Sequence, residues 1–391
     1  MRIVFLVLGN SRRSNYLNGD TIRTGGGGAS GTDGSNILVA EYLAANGFDV
    51  TICTERLEPN LEEKYRKEGK NPPNGTQIRG VHYTDFDFTG IDNRTYDIVV
   101  SNLWFDKYDD LPIKVTRGLL YWSHMQWMYG VVELVNYANK SNVNLGIVNI
   151  SKWEKEMTGD HIKGFHKNII NDVHITTIGN PVADDIITEV NNKNIPKKKG
   201  KFVYHAAWAR GGNVAVDAVR KIDIQDKEFH AFDYLMSTHD HKDNFFHMHN
   251  GVDKHTLFHH LAEAEYFFYP LYTPYHDVHK DTFSCVVAEA IALGAVPITF
   301  PLGALPELFS GYCSWANFPK GKNALEMQSQ PLSKDNEEVF NDSTFVFDAY
   351  IEAEKTGTLK KHVQSEGYQY IVDNFGINNI GEQWVKFLNK F

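Results

Sequence analysis

Residues Asp281–Phe300 read DTFSCVVAEAIALGAVPITF. Ser284 has the chemistry of a helix N-cap and Gly294 that of a C-terminal stop, and the run Val296–Phe300 that follows reads as a strand. Between those limits nearly every residue is apolar, so the helix is expected to be buried on most sides. Glu289 is the exception. A lone carboxylate in such a helix is costly unless it is paired or hydrogen-bonded. An Arg or Lys from elsewhere in the chain would satisfy it, and so would a ligand hydroxyl pair such as a ribose diol. Seven residues lie between Asp281 and Glu289, which places one carboxylate in the entry loop and the other two turns into the helix. The amides of Phe283, Ser284 and Cys285 fall between them at the helix N-terminus. Free N–H groups there, helped by a dipole effect of about 0.3–2 kcal/mol, favour an anionic phosphate. One short segment thereby offers places for a sugar hydroxyl, a diphosphate and a ribose in order.

Outward from this segment, short apolar runs alternate with amphipathic stretches, the pattern of βαβ units and parallel sheets. On the N-terminal side, Ile3–Leu8, Val50–Cys53, Ile98–Ser101, Gly118–Trp122 and Ile147–Asn149 read as strands. Ser35–Asn46 reads as a helix stopped at Asn46-Gly47, and Ser151 as the cap of a helix beginning Lys152-Trp153-Glu154. Near 190–201 the chain turns polar and basic, EVNNKNIPKKKGK, and this is the expected linker. A second series follows with strands at Phe202–His205, Phe229–Phe232, Tyr266–Tyr269 and Val296–Phe300. The final residues, Asn379–Phe391, carry Trp384, Phe387 and Leu388 on one helical face. The expectation is therefore two doubly wound α/β domains, 1–190 and 201–378, with a closing helix at 379–391. Ligands of such sheets sit at the carboxyl ends of the strands.

The chain has 391 residues, enough for two cores, and a net charge of −10. That balance argues against a nucleic-acid partner, which demands a basic surface. The three cysteines, Cys53, Cys285 and Cys313, form neither a disulfide framework nor a zinc motif, so a cytoplasmic protein is expected. The N-terminus MRIVFLVLGN reads as a buried strand, and no run approaches the ~18 apolar residues of a membrane span. The seventeen histidines occur as singles and as His239/His241, His247/His249 and His259/His260. None forms HExxH or a similar ligand spacing, so no functional metal site is expected.

The Asp281 segment resembles the retaining glycosyltransferases of the GT-B fold, in the large group-1 (family 4) class. Their hallmark is Glu-x7-Glu followed by Ala and then Gly and Pro. Here Asp281, Thr282-Phe283, Glu289-Ala290, Gly294 and Pro297 stand in those places, with Asp281 for the first glutamate. A second match is YHAAWARGGNVAVDAVRKI, in which Arg210-Gly211 occupies the family's diphosphate-binding position. An arginine fork suits two phosphate oxygens. His205 stands where the family often has a second arginine. The third match, residues 24–50, resembles the glycine-rich loop and first helix of the family's N-terminal domain. Gly25, Gly26, Gly27 and Gly28 supply backbone that can approach a phosphate or sugar closely. The same stretch holds a GxGxxG at Gly26, Gly28 and Gly31 with Glu55 beyond, the elements of a nicotinamide or flavin site. That reading requires the glycines to follow a strand immediately, and some fifteen residues separate them from Leu8. The fourth match is YWSHMQWMYG, where His124 takes the place of a histidine that contacts the donor sugar; a buried structural histidine is the other reading.

The resemblance spans nearly the whole chain. It implies GT-B architecture: two Rossmann-like doubly wound parallel-sheet domains facing a cleft, the C-terminal helix packing back on the N-terminal domain. It implies a donor such as a UDP- or GDP-sugar and a carbohydrate or glycoconjugate acceptor. The catalytic residues would be His124, Arg210 and Asp281. The donor would also be bound by Gly25–Gly28, His205, Thr282, Phe283, Ser284, Cys285 and Glu289. Configuration would be retained, and no metal or other cofactor would be required. Other readings are a GT-B enzyme without an external acceptor, such as a nucleotide-sugar epimerase, and a catalytically silent nucleotide-sugar-binding protein. The substitutions at Asp281 and His205 keep the last one open.

Overall fold

The computed structural model describes residues 1–7, 18–24, 31–54, 76–102, 108–125, 130–166, 173–233, 241–271, 281–317 and 342–391. The chain forms two compact units. The first comprises Met1–Ile22, Ala29–Pro181 and Ile377–Phe391; the second comprises Arg23–Gly28 and Val182–Gly376.

In chain order, β1 (Arg2–Val7), α1 (Thr21–Thr24), α2 (Gly31–Ala45) and β2 (Asp49–Thr54) open the fold. They are followed by β3 (Thr76–Ile78), β4 (Val81–Asp85), β5 (Thr95–Asn102), β6 (Lys114–Trp122), α3 (Val131–Ser141), β7 (Asn144–Asn149), α4 (Lys152–His166) and β8 (Val173–Thr177). The eight strands make one sheet in the order β3-β4-β2-β1-β5-β6-β7-β8. All neighbours are parallel except β3 and β4. That antiparallel pair is closed by Arg79-Gly80, both with positive φ (49° and 82°). These are the dihedral signs of a two-residue type I′ hairpin. Central strands such as β1 are covered on both faces and are therefore continuously apolar, as RIVFLV is.

Ser123, just after β6, and the Ile150 amide, just after β7, are locked by a buried acid. Glu154, in the first turn of α4, accepts from the Ile150 amide at 2.7 Å and lies 3.0 Å from the Ser123 hydroxyl. The Ser123 hydroxyl also lies 3.2 Å from the Met125 carbonyl. A single hydroxyl proton cannot serve both oxygens. The network closes when Glu154 is protonated, donates to Ser123 Oγ and still accepts from Ile150. Burial, the dominant cause, pushes the Glu154 carboxyl well above its ordinary value of 4.5. A raised folded-state pKa confers stability that is complete below the unfolded pKa and lost as pH rises through the folded one. Glutamine reproduces both bonds without a titrating proton. Glu154→Gln should accordingly match the wild type in Tm near pH 4.5 and become the more stable protein as pH rises toward 8. A lower Tm for the variant at pH 8 would refute this assignment.

The second unit continues with α5 (Asp184–Asn192), β9 (Lys198–His205), α6 (Gly212–Arg220), β10 (Glu228–Asp233), β11 (Phe246–Asn250) and α7 (Lys254–Glu263). It then runs through β12 (Ala264–Tyr269), α8 (Cys285–Ala292), β13 (Val296–Thr299), α9 (Leu305–Phe309), β14 (Ser314–Trp315), α10 (Ser343–Thr356) and α11 (Thr358–Phe375). Its six strands are parallel throughout, in the order β11-β10-β9-β12-β13-β14. The stretch expected as a linker, 190–201, is the last turn of α5, a turn and the start of β9. Helix α5 buries Ile186, Ile187 and Val190 and packs against α7, so it belongs to the second unit. Arg23 joins the same unit by an ion pair with Asp185 at 2.7 Å.

The last helix, α12 (Ile377–Leu388), returns to the first unit and packs on α2. Trp384 is fully buried there, its ring 4.6 Å from that of Trp122 and 6.3 Å from that of Phe5. Gly381 lets the helix sit on Tyr42, since a Cβ at that position would meet the ring at 2.2 Å.

Candidate functional site

In the second unit the chain starts at β9 and steps to β10 and β11 on one side. It then returns to place β12 on the other side of β9. The adjoining carboxyl ends of β9 and β12 are the point where ligand crevices form in doubly wound sheets. The predicted residues of this unit gather around that point.

Beyond β9, a 3-10 turn (Trp208–Arg210) closes on Gly211. Gly211 has φ 99°, and at Gly212 a Cβ would strike the Trp208 ring at 2.4 Å, so this Gly-Gly pair lets α6 start directly over the indole. The turn carries Arg210 back to the sheet edge, where its guanidinium lies 3.7 Å from Asp281 Oδ1. Tyr269, the last residue of β12, donates its hydroxyl to Asp281 Oδ2 at 2.7 Å. Burial first, then the Asp281 charge, pushes that phenol well above its ordinary value, so it stays a proton donor. Arg210 and Asp281, distant in sequence, thus meet with Tyr269 between the two strand ends.

The Asp281 backbone is held from below. Its carbonyl accepts from the Ala304 amide at 2.8 Å, and the preceding Gly303 has φ 60°. A Cβ on Gly303 would lie 2.3 Å from the Asp281 carbonyl oxygen and 3.0 Å from its nitrogen. We expect Gly303→Ala to displace Asp281, costing ~1–3 kcal/mol in stability through the strained left-handed backbone alone. Turnover should fall at least tenfold, about 1.4 kcal/mol in barrier. Unchanged kinetics in the variant would show that the position of Asp281 does not matter.

Helix α8 begins as expected after Ser284. That residue takes a left-handed conformation (φ 69°, ψ 80°) and makes no side-chain capping bond, so the first-turn amides are not capped by its hydroxyl. Thr282 and Phe283 are buried. The Phe283 ring packs edge-on against Phe309 at 6.2 Å and Phe375 at 5.0 Å, so only its backbone faces a ligand role. Cys285 is half-buried.

Glu289 has a protein partner. It is buried and forms an ion pair with Lys254, the first residue of α7. The Lys254 ammonium also lies 5.1 Å from the Phe258 ring centre. His205 is the near neighbour of this pair and feels both charges. Its Nδ1 lies 3.1 Å from the Phe232 carbonyl. Burial lowers its pKa, so at pH 7 it is a neutral imidazole and cannot replace the missing arginine as a cation. Among the described residues, the positive charges placed here are Arg210 and Lys254. Lys254 had no signal in the sequence beyond being a lysine just after an N-cap aspartate, Asp253.

His124, in the first unit, follows β6. It is buried with its ring 4.7 Å from Trp122, and burial pushes its pKa down to about 3. It is neutral at physiological pH, able to offer a hydrogen bond but not a charge. Gly25–Gly28 lie outside the described residues. Among the described residues one trio of potential metal ligands comes together, His230, His249 and His260. Their sequence spacing gave no hint of it. No helix among the described residues is long and apolar enough to cross a membrane.

No protein-family profile matches the chain, and no curated protein matches it in sequence. Solved structures do match in shape. A sucrose-phosphate synthase from Thermosynechococcus elongatus aligns with a TM-score of 0.62 at 12% identity, covering 100% of this chain and 98% of its own. HepE of Anabaena, solved with UDP-glucose, aligns at 0.56 and 12% identity over 100% of both chains. TarM aligns at 0.54 and 10% identity, covering 99% of this chain and 98% of its own. The fold is thus the α/β GT-B architecture, as expected from the sequence.

Proposed function

We propose that the chain is a retaining, metal-independent glycosyltransferase. It would move a sugar from a nucleotide-diphosphate donor of the UDP or GDP class to a hydroxyl of a glycan or glycoconjugate in the cytoplasm. The observation that carries this reading is the meeting of Arg210, Tyr269 and Asp281 at the strand crossover of the second unit, in the segment that also opens α8. A cation, a carboxylate and helix amides in one place suit a diphosphate joined to a polyhydroxylated group. The GT-B neighbours, one of them solved with UDP-glucose, support the same donor class.

In this mechanism the donor diphosphate takes Arg210 from Asp281, whose 3.7 Å separation makes the ion pair a loose one. Asp281, still held by Tyr269, is then available to accept from a sugar hydroxyl. Glu289 receives the ribose hydroxyls beside Lys254. As the glycosidic bond breaks, negative charge grows on the departing phosphate and positive charge on the sugar. Arg210 and the α8 amides stabilise that phosphate without rearranging, an effect of ~3–4 kcal/mol for one such donor group.

The test is thermal unfolding with UDP-, GDP-, ADP- and dTDP-sugars, in buffer with and without chelator, and with NAD(P) as control. A ligand at a hundredfold excess over Kd adds about 2.7 kcal/mol. We expect one nucleotide class to stabilise the protein in both buffers and to be consumed when an acceptor is supplied. Stabilisation by NAD(P) alone, or by no nucleotide at saturating concentration, would rule the proposal out. Stabilisation without turnover across an acceptor panel would favour a silent binding protein.

A further inference from the structure

Parallel pairing of β10 with β11 sets His230 opposite His247 and Phe232 opposite His249. Alternation along each strand then turns His230, His247 and His249 to one face of the sheet. Helix α7 contributes His260. The His230 and His260 ring centres are 4.5 Å apart, and those of His249 and His260 are 5.0 Å apart. His230 Nδ1 lies 2.9 Å from His249 Nε2. One ligand nitrogen from each of His230, His249 and His260 falls within 4.8 Å of the others. His230 is buried, and the other two are half-buried.

Hydrogen bonding among these groups is incomplete. His230 and His249 occupy one another, while His260 Nδ1 is buried with no hydrogen-bond partner. A buried ring nitrogen left so is costly, and native proteins almost always satisfy it. On its outer side His230 Nε2 lies 3.3 Å from Glu228 Oε2. A carboxylate behind an imidazole is the arrangement that fixes the tautomer and orientation of a metal-bound histidine. The surrounding charges balance, since buried Lys201 pairs with Glu263 and Lys198 with Glu228.

We propose that His230, His249 and His260 form a site for a divalent transition cation of the zinc class, which staples α7 to β10 and to the edge strand β11. Three imidazoles with a water in the fourth position suit a borderline cation with metal–nitrogen distances of ~2.0–2.1 Å. Tetrahedral geometry at that distance spaces the nitrogens about 3.4 Å apart, within reach of small ring rotations from the present positions. The role is structural: the cation lies beneath the helix whose first residue, Lys254, pairs with Glu289. The site does not depend on the glycosyltransferase reading.

The test is titration of chelator-treated full-length protein with cobalt(II) alone. We expect the intense visible absorption of four-coordinate cobalt at one equivalent per chain, displaced by zinc, together with a zinc-dependent rise in Tm. His249→Ala and His260→Ala lie on different elements and should each weaken cobalt uptake at least tenfold. His362→Ala, on α11, should leave it unchanged, and far-UV circular dichroism identifies the variants that fold. A wild type lacking the four-coordinate spectrum overturns the proposal, as does a folded His249→Ala or His260→Ala variant with wild-type uptake.

Discussion

Replacing Arg210 with alanine should lower turnover of the nucleotide sugar by about 10²–10³, with little change in unfolding temperature. The guanidinium is partly exposed at the end of a short turn, and its contact with Asp281 is 3.7 Å long, so folding gains little from it. In the proposed mechanism its value lies in the reaction, where charge accumulates on the departing phosphate. The loss should therefore fall chiefly on kcat. Arg210→Lys should recover only part of the rate, because a point charge cannot offer the two parallel bonds of the guanidinium fork. Single-turnover kinetics on both variants would check this. An alanine variant that turns over donor within a few-fold of the wild type would remove Arg210 from the mechanism and leave the crossover site without its principal cation.

The second large effect concerns Lys254 and Glu289. Removing one partner of a buried ion pair leaves an uncompensated charge, typically costing ~3–5 kcal/mol, whereas replacing both with apolar residues of similar volume is often neutral. Lys254 retains some solvent access, 21% of its side chain, so its loss belongs at the lower end of that range. We expect Lys254→Met to be strongly destabilising and the double variant Lys254→Met/Glu289→Met to recover most of that stability. The double variant also separates two roles for Glu289. If Glu289 receives the donor ribose, the restored protein should still fail to bind nucleotide. If it serves only as the structural partner of Lys254, calorimetric titration would give wild-type affinity, and the ribose contact would have to be sought elsewhere.

Of the two readings of Glu289 left open by the sequence, the structure shows the protein cation, Lys254, and the ribose contact belongs to the proposed mechanism. A single carboxylate in VVAEAIA is conspicuous because nothing around it is polar, and the need for a partner was legible from that alone. The partner was not. Lys254 lies 35 residues away, beyond the rest of α7, strand β12 and the stretch leading into α8, and any of several lysines would have fitted. Likewise, strands β1, β9, β12 and β13 were plain from the apolar runs they contain, IVFLV, FVY, YFFY and VPI. Strand β11, FHMHN, was not, since an edge strand so rich in histidine has no apolar period to read. The meeting of His230, His249 and His260 is a product of strand register and helix packing, neither of which is written in local spacing. Gly303 is similar. Its importance is the space its missing Cβ leaves for the Asp281 carbonyl, and that neighbour is known only once the chain has folded. The terminal helix was legible from the single apolar face formed by Trp384, Phe387 and Leu388.

That terminal helix has a consequence for biosynthesis. Domains generally complete themselves in the order in which they leave the ribosome. Here the first unit needs Trp384 to fill the space beside Phe5 and Trp122, and α12 is translated only after the whole of the second unit. The strands made first must therefore wait, with one side of their core unfilled, while the second unit, complete by Gly376, finishes ahead of them. Until α12 has been made, the nascent chain carries a partly open apolar face on its first unit, the kind of surface that chaperones hold.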